Sequence, residues 1–247
     1  MTDSHAGAIV MTVGGTPPGG DVEDPDAVVR EWYDQHYSLI SASADGSFFS
    51  RYMHRTMERR YGIASSFDRV LEVGGNRAEH LPFVRHGYRE YVVSDLFPPI
   101  LDGAAAADPR VSAVSCDVAR LPFRDTAFDR LIATCLLHHV DSPMRAAQEM
   151  RRVTRVGGVM TILVPTDPGL AYRFGKAVTS GRAARRAGLA ERHRLVAALD
   201  HPNHFGSIKE QLRHVFRNDA LTIDWWPWRM PSMSLEAFAV FTVVRSC

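Results

Sequence analysis

The sequence predicts an α/β fold in which a seven-stranded, mostly parallel sheet ends in an antiparallel hairpin. The first observation is that five short apolar runs alternate with stretches of helical spacing, which is the pattern of βαβ units. The second is that two more strand-like runs close the chain with only a short turn region between them. Because that region has no room for a crossover helix, the last two strands are expected to pair antiparallel. The seven runs lie at residues 69–73, 91–94, 111–116, 130–134, 159–164, 221–226 and 237–244.

Composition places the chain among globular proteins with one large domain. It has 247 residues, of which 45% are hydrophobic and 23% charged, values that exclude a disordered or collagen-like chain. The net charge of +1 gives no overall field toward nucleic acid or a membrane, so we expect neither as a partner. Cys116, Cys135 and Cys247 are too few for a disulfide framework, and no run reaches the roughly 18 apolar residues of a membrane span. The prediction is a cytoplasmic protein, either a monomer or a homodimer.

Three segments flank or interrupt the predicted sheet. Residues 1–24 run through Gly-Gly and Pro-Pro pairs without any period and are predicted to be a flexible tail, whereas residues 25–247 are predicted to form one domain. Within that domain a helical cap is expected at 25–62. A lid-like helical insertion is expected at 166–218, before the last two strands. Inside it, Ser207 and Glu210 have the spacing of a capping box and predict a helix start.

Polar and small residues follow the predicted strands at their carboxyl ends, where open α/β sheets bind ligands. Glycines in the Glu72-Val73-Gly74-Gly75-Asn76 turn let the backbone approach a ligand closely. Asp95 lies 21 residues after Gly74 and can accept hydrogen bonds from both hydroxyls of a ribose. Asp117 follows the third strand, where it can hold an adenine amino group, and Thr134 closes the floor of the site. Together these positions predict a nucleoside-binding site.

The order of these motifs resembles that of the class I S-adenosylmethionine-dependent methyltransferases, and is most similar to the small-molecule branch labelled type 11. The segments VLEVGGNRAEH, YVVSDL, SCDVARLPFRDTAFD, LIATCLLHHV and VGGVMTILVP carry the likeness, which covers about residues 69–164. The resemblance implies a Rossmann-like fold and S-adenosylmethionine as cofactor, with S-adenosylhomocysteine as product. It also implies cofactor contacts from the glycine turn, the second and third strand ends and the first helix: Glu72, Gly74, Gly75, Asn76, Asp95, Leu96, Asp117, Val118, Thr134 and Tyr37.

Two positions in the glycine turn depart from the family pattern E-x-G-x-G-x-G. Glu72 and Gly74 match it, but Asn76 and Ala78 stand where the pattern has glycine. Asn tolerates unusual backbone angles and Ala is small, so cofactor binding is expected to persist. The departure leaves open a protein of this fold that binds the cofactor but catalyses another reaction or none. An NAD-dependent oxidoreductase is a further alternative, although the chain lacks G-x-G-x-x-G. A methyltransferase acting on tRNA, rRNA or protein is disfavoured by the neutral charge.

Methyl transfer to a small molecule needs orientation of the reactants, and a base where the acceptor carries a proton. His138 and His139 follow the fourth strand at the rim of the expected site, and either face the acceptor or pack against the next helix. A second group, residues 200–205, contains His204 and His201, of which His204 is the preferred candidate. We therefore predict His138, His204 and His139 as the catalytic residues. No metal is expected, because His201 and His204 have no recognised ligand spacing.

Three other features keep two interpretations each, and a fourth, the pair of His54 and Glu58, has one. Tyr33 and Tyr37 on the first helix either close over the cofactor or belong to the core, and Trp225, Trp226 and Trp228 either line an apolar acceptor pocket or pack. His54 and Glu58 are predicted to form a simple surface pair. Residues 170–194 carry seven Lys or Arg and one acid, and they either cover an anionic substrate or form a solvated helix face. A specialised metabolite is the predicted acceptor class.

Overall fold

The computed structural model describes residues 23–36 and 48–247. Most of the expected tail, residues 1–22, and Tyr37 lie outside these described residues, and the side chain of Tyr33 is likewise not described. Among the described residues, no helix is both long enough and apolar enough to cross a membrane.

The predicted sheet is confirmed. The strands are β1 (Ser66–Val73), β2 (Gly87–Asp95), β3 (Val111–Ser115), β4 (Phe128–Thr134), β5 (Thr154–Pro165), β6 (Ala220–Trp226) and β7 (Phe238–Val244). They lie in the order β3-β2-β1-β4-β5-β7-β6, and the pairs among β1 to β5 are parallel. The last two strands form the expected hairpin, and β7 inserts between β5 and β6, antiparallel to both.

Helices cover both faces of the sheet, as apolar residues on a parallel sheet require. Leu71 and Val73 of β1 join one core cluster with the helices at Pro143–Val153 and Phe205–Val215, while Val70, which precedes Leu71, joins the opposite cluster with Met57. This alternation follows from the period of two in a strand. The helices are α1 (Pro25–Gln35), α2 (Phe48–Met57), α3 (Gly103–Ala107), α4 (Pro143–Val153), α5 (Leu170–Val178), α6 (Ser180–Arg186), α7 (Ala190–Leu199) and α8 (Phe205–Val215).

Two expectations about helices are wrong. The turn after β1 does not lead into an α-helix: the connection to β2 has only a 3₁₀ turn, Leu81–Phe83, with a proline in its first positions. His80 of this connection is buried and takes part in a hydrogen-bond network described below. Helix α8 begins at Phe205 and not at Ser207, because the buried Phe205 extends its apolar face, and the Ser207 hydroxyl accepts from Gln211 instead.

The N-terminal cap and the insertion pack on each other. Val28 and Trp32 of α1 form a small buried cluster with Ala184 of α6 and Val196 of α7. Arg192 of α7 donates to Glu23 and to Glu31, with 2.6 Å for each pair. Part of the basic charge of the insertion is therefore used within the chain, where α1 of the cap packs with two helices of the insertion.

Candidate active site

The turn after β1 has an unusual backbone at the three positions that follow Glu72 in the glycine pattern. Gly74, Asn76 and Ala78 have φ angles of 68°, 42° and 57°, in the left-handed region that favours glycine. A Cβ on Gly74 would also lie 2.8 Å from Cδ1 of Leu136, so both the backbone angle and the available space favour glycine there. Asn76 and Ala78 keep the left-handed conformation despite carrying a Cβ. The departure from the family pattern therefore places residues with a Cβ at two positions whose backbone is left-handed.

The turn is held against the end of β2. The amides of Gly74 and Gly75 donate to the carbonyl of Ser94 at 2.8 and 3.1 Å, and the amide of Asn76 donates to Oδ2 of Asp95 at 3.1 Å. The other carboxylate oxygen, Oδ1, accepts from the amide of Phe97 at 3.3 Å. The Asp95 carboxylate is thus positioned by two backbone amides at the mouth of the turn, where the sequence predicts a ribose.

The remaining predicted cofactor residues divide into exposed and buried ones. Asp117 is exposed after β3, and its Oδ1 accepts from the amide of Ala119 at 2.8 Å, while Val118 beside it is buried. Leu96 is 65% exposed next to Asp95, which leaves its side chain available to a ligand. Thr134, at the end of β4, donates its hydroxyl to the sulfur of Met57 at 3.3 Å and so contacts the cap helix α2.

Glu72 lies beneath the turn and not on its open side. Its side chain is buried; Oε2 accepts from the hydroxyl of Tyr91 at 2.7 Å and Oε1 from the amide of His80 at 3.3 Å. Burial raises the pKa of the Glu72 carboxyl. Both carboxyl oxygens are already engaged within the protein, so this residue supports the turn from below.

A buried ionic network continues from Glu72 and contradicts the predicted surface pair of His54 and Glu58. Both residues are buried because α2 packs directly on the sheet. Glu58 forms an ion pair with Arg130 and lies 2.9 Å from Nε2 of His80, whose Nδ1 is 2.9 Å from Nδ1 of His54. Burial alone raises the pKa of Glu58, but the His80 hydrogen bond and the Arg130 charge leave it below its ordinary value. Burial lowers the pKa of His54 to about 3.

Arg130 is the residue of this network that sequence reasoning missed. It is fully buried in the middle of β4, and its guanidinium lies 3.9 Å from the ring centre of Tyr61. The signal was the arginine at the start of the apolar run at residues 130–134, since arginine is rarely buried without a partner. The network links α2, the turn after β1 and β4, which are three elements around the predicted cofactor site.

Three histidines meet where the loop that follows β4, residues 135–142 (the β4 loop), contacts the insertion. The ring centres of His138 and His139 are 4.0 Å apart, and His201 lies 4.4 Å from the first and 4.8 Å from the second. His138 is 5% exposed, and its Nδ1 has no hydrogen-bond partner among the described residues. His204 is exposed at the start of α8, outside this cluster. The structure therefore brings together His138, His139 and His201, and not the preferred His204.

Hydrogen bonds tie the insertion to the sheet beside this cluster. Nδ1 of His139 is 3.0 Å from both the carbonyl oxygen and Oδ2 of Asp200, and Nδ1 of His201 is 3.1 Å from Oδ2 of Asp167. Asn203 donates its side-chain amide to the carbonyl of Val140 at 2.6 Å. The insertion thus closes over the carboxyl ends of β4 and β5.

The tryptophan run divides between packing and exposure. Trp226 is buried against Tyr52, and Trp225 packs on Phe205 with ring centres 5.1 Å apart. Trp228 is 68% exposed. Of the three, only the side chain of Trp228 is free to meet a large ligand.

Comparisons with known proteins point to methyltransferases. Residues 71–162 match a family described as a methyltransferase domain. A demethylmenaquinone methyltransferase of Mycolicibacterium paratuberculosis is 30% identical over 146 residues, covering 59% of this chain and 60% of the relative. A protein of Encephalitozoon cuniculi that is named as a methyltransferase is 35% identical over 177 residues, covering 67% of this chain and 73% of the relative.

Solved structures share the fold at low identity. Phosphoethanolamine N-methyltransferase 2 of Haemonchus contortus, solved in complex with S-adenosyl-L-methionine, superimposes with a TM-score of 0.59 at 12% identity, covering 89% of this chain and 60% of that one. The chain spans about half to three fifths of the length of the mycobacterial relatives it matches.

Proposed function

This chain belongs to the class I S-adenosylmethionine-dependent methyltransferases, and we propose that it transfers a methyl group from S-adenosylmethionine to an O, N or C atom of a small molecule. A specialised metabolite is the acceptor class that we propose. The observation that carries the proposal is the bond from the Asn76 amide to Asp95, which places an oriented carboxylate beside a left-handed turn at the switch region of the sheet.

The residues at the strand ends fit a bound nucleoside. Asp95 is held by two backbone amides and keeps acceptor capacity for ribose hydroxyls, since each carboxylate oxygen can accept more than one hydrogen bond. Asp117 is exposed after β3, where its carboxylate would take the adenine amino group, with Val118 beneath the ring. When bound, S-adenosylmethionine supplies an electrophilic methyl group. The part of this chain is to orient the two reactants and to exclude water.

The acceptor side lies at the junction of the β4 loop and the insertion. The hydrogen bonds between His139 and Asp200 and between Asn203 and Val140 hold the insertion down and favour an acceptor small enough to be enclosed. We assign the uptake of a proton from the acceptor to His138, with His139 and His204 as the other candidate bases. Burial first, and then the charges of the neighbouring histidines, lower the pKa of His138 well below its ordinary value, so at pH 7 the ring is in the neutral form that a general base requires.

Calorimetric titration of the purified full chain with S-adenosylmethionine, S-adenosylhomocysteine and NAD tests the cofactor first. We expect binding of the first two and no heat from NAD. Binding of NAD alone would overturn the proposal in favour of an oxidoreductase. Binding of S-adenosylmethionine without turnover, across a panel of phenols, amines and activated carbon acids, would instead support a protein that binds the cofactor without transferring the methyl group.

A further inference from the structure

A second chemistry is available at the histidine cluster formed by His138, His139 and His201. One ring nitrogen from each of the three lies within 4.8 Å of the others. Nitrogen ligands of a tetrahedral zinc ion, bound at about 2.1 Å, sit about 3.4 Å apart, so small side-chain rotations bring the three to a common ion. We propose that this cluster binds one divalent transition-metal ion, of the class that prefers imidazole ligands, such as zinc or cobalt.

The partners of the rings are those of metal-bound imidazoles. A histidine ligand usually donates its other ring N–H to a carboxylate or a carbonyl, which fixes the ring and raises its basicity. Asp200 takes this place on Nδ1 of His139, and Asp167 takes it on Nδ1 of His201. Both Nε2 atoms are then left for the ion. Two of the three rings are therefore oriented by carboxylates on the side away from the proposed ion.

His138 supplies the independent observation. Its side chain is 5% exposed, and its Nδ1 is buried without a hydrogen-bond partner among the described residues. A buried polar atom of this kind costs free energy unless it is paired, and coordination to an ion would pair it. The unpaired nitrogen belongs to the ring in contact with both other histidines.

Local charge is compatible with a cation. Lys176 of the insertion is near the cluster and interacts with Asp167 and Asp200. The Lys176 ammonium would repel a bound cation, and the carboxylates of Asp167 and Asp200 offset that repulsion. Sequence spacing did not indicate the site because two ligands are adjacent in the β4 loop while the third arrives from the insertion.

Three histidines leave a fourth coordination position, as in zinc sites that act on a bound oxygen. The ion would join the insertion to the β4 loop beside the acceptor side. An acceptor oxygen at the fourth position would lose its proton more easily, so His138 and His139 would act as ligands in place of bases. This role in activating the acceptor rests on the proposed function, whereas the metal site itself does not.

The test uses tag-free full-length protein treated with chelator and titrated with Co²⁺ and Zn²⁺. We expect one ion per chain, a cobalt absorption band typical of four-coordinate nitrogen ligation, and displacement of Co²⁺ by Zn²⁺. His201→Gln should abolish stoichiometric binding. Asp167→Asn keeps all three imidazoles and should weaken binding about 10- to 100-fold. His214→Gln, at an exposed position of α8, is the matched control and should change nothing.

Each outcome decides the proposal. Absence of one-to-one binding in the folded wild-type chain overturns it, as does equal affinity in His201→Gln. If His201→Gln does not fold, the affinity of Asp167→Asn decides alone. Titration with S-adenosylmethionine is measured separately, so a chain that binds cofactor but no metal refutes only this inference.

Discussion

The backbone amide of Asn76 donates to Oδ2 of Asp95 at 3.1 Å, across the 19 residues that separate the turn after β1 from the end of β2. The bond uses the main chain, so it does not depend on which side chain occupies position 76. It depends on the left-handed conformation of that residue, with φ of 42°. Loss of glycine from the pattern therefore need not mean loss of the site.

Replacement of Asp95 by Asn should weaken the binding of S-adenosylhomocysteine. Hydrogen bonds to a charged acceptor contribute about 1.5–3 kcal/mol each, so we expect roughly 10- to 100-fold weaker binding by calorimetry. Asp125→Asn is the control, because that carboxylate is 74% exposed and pairs with Arg152 on the surface. Unchanged affinity in Asp95→Asn would show that the ribose lies elsewhere.

The left-handed conformation of Ala78 should appear as a difference between two Ala→Gly variants. Ala78→Gly and Ala146→Gly each remove a buried methyl group, at a cost of about 0.8 kcal/mol. Ala146 lies in α4, where glycine costs about a further 0.5–1 kcal/mol. At position 78 glycine instead relieves about 1–2 kcal/mol of backbone strain. Urea unfolding should therefore show a clear loss for Ala146→Gly and almost none for Ala78→Gly; equal losses would contradict the strain.

Acid should destabilise the protein through His54. Its folded pKa is about 3, against 6.5 in the unfolded chain, so between these values the unfolded state binds the extra proton. Stability is then complete above pH 6.5 and falls as the pH drops toward 3, by up to about 1.4 kcal/mol per pH unit for this group. The free energy of unfolding of His54→Gln, measured from pH 6.5 to 4.5, should have a shallower slope than wild type. The exposed His214→Gln should keep the wild-type slope, and the same slope in both variants would refute the assignment.

Removal of the Arg130 side chain should lower the free energy of unfolding, because the buried carboxylate of Glu58 is then left without its cation. Arg130→Met is expected to lower the free energy of unfolding by about 3–5 kcal/mol. The double variant Arg130→Met/Glu58→Gln should recover part of that loss, since it no longer buries an uncompensated charge. Arg155→Met provides the surface comparison: Arg155 is 53% exposed and pairs with Asp129, so about 0–1 kcal/mol is expected. A double variant no more stable than Arg130→Met would mean that packing on Tyr61, and not charge, dominates.

Local pattern was sufficient to predict the strands and the position of the turn that carries the proposed cofactor residues. Short apolar runs that alternate with helical stretches, and a last pair with no room for a helix between them, predicted all seven strands to within a few residues at most ends. Helix starts were less well predicted: Ser207 and Glu210 have the spacing of a cap, but burial of Phe205 moved the start of α8. Propensity is weak there compared with the burial of an aromatic ring.

The sequence by itself determined the sheet, the family and the positions of Gly74, Asp95 and Asp117 at the strand ends, because each depends on short-range order along the chain. Only the tertiary structure decided which polar residues are buried together. Glu58 meets Arg130 across 72 residues, and His201 of the insertion meets His138 although α4 and β5 lie between them in the chain. Such pairs leave no periodic trace in the sequence, since they depend on how separate elements pack and on the low dielectric that makes a buried charge need its partner.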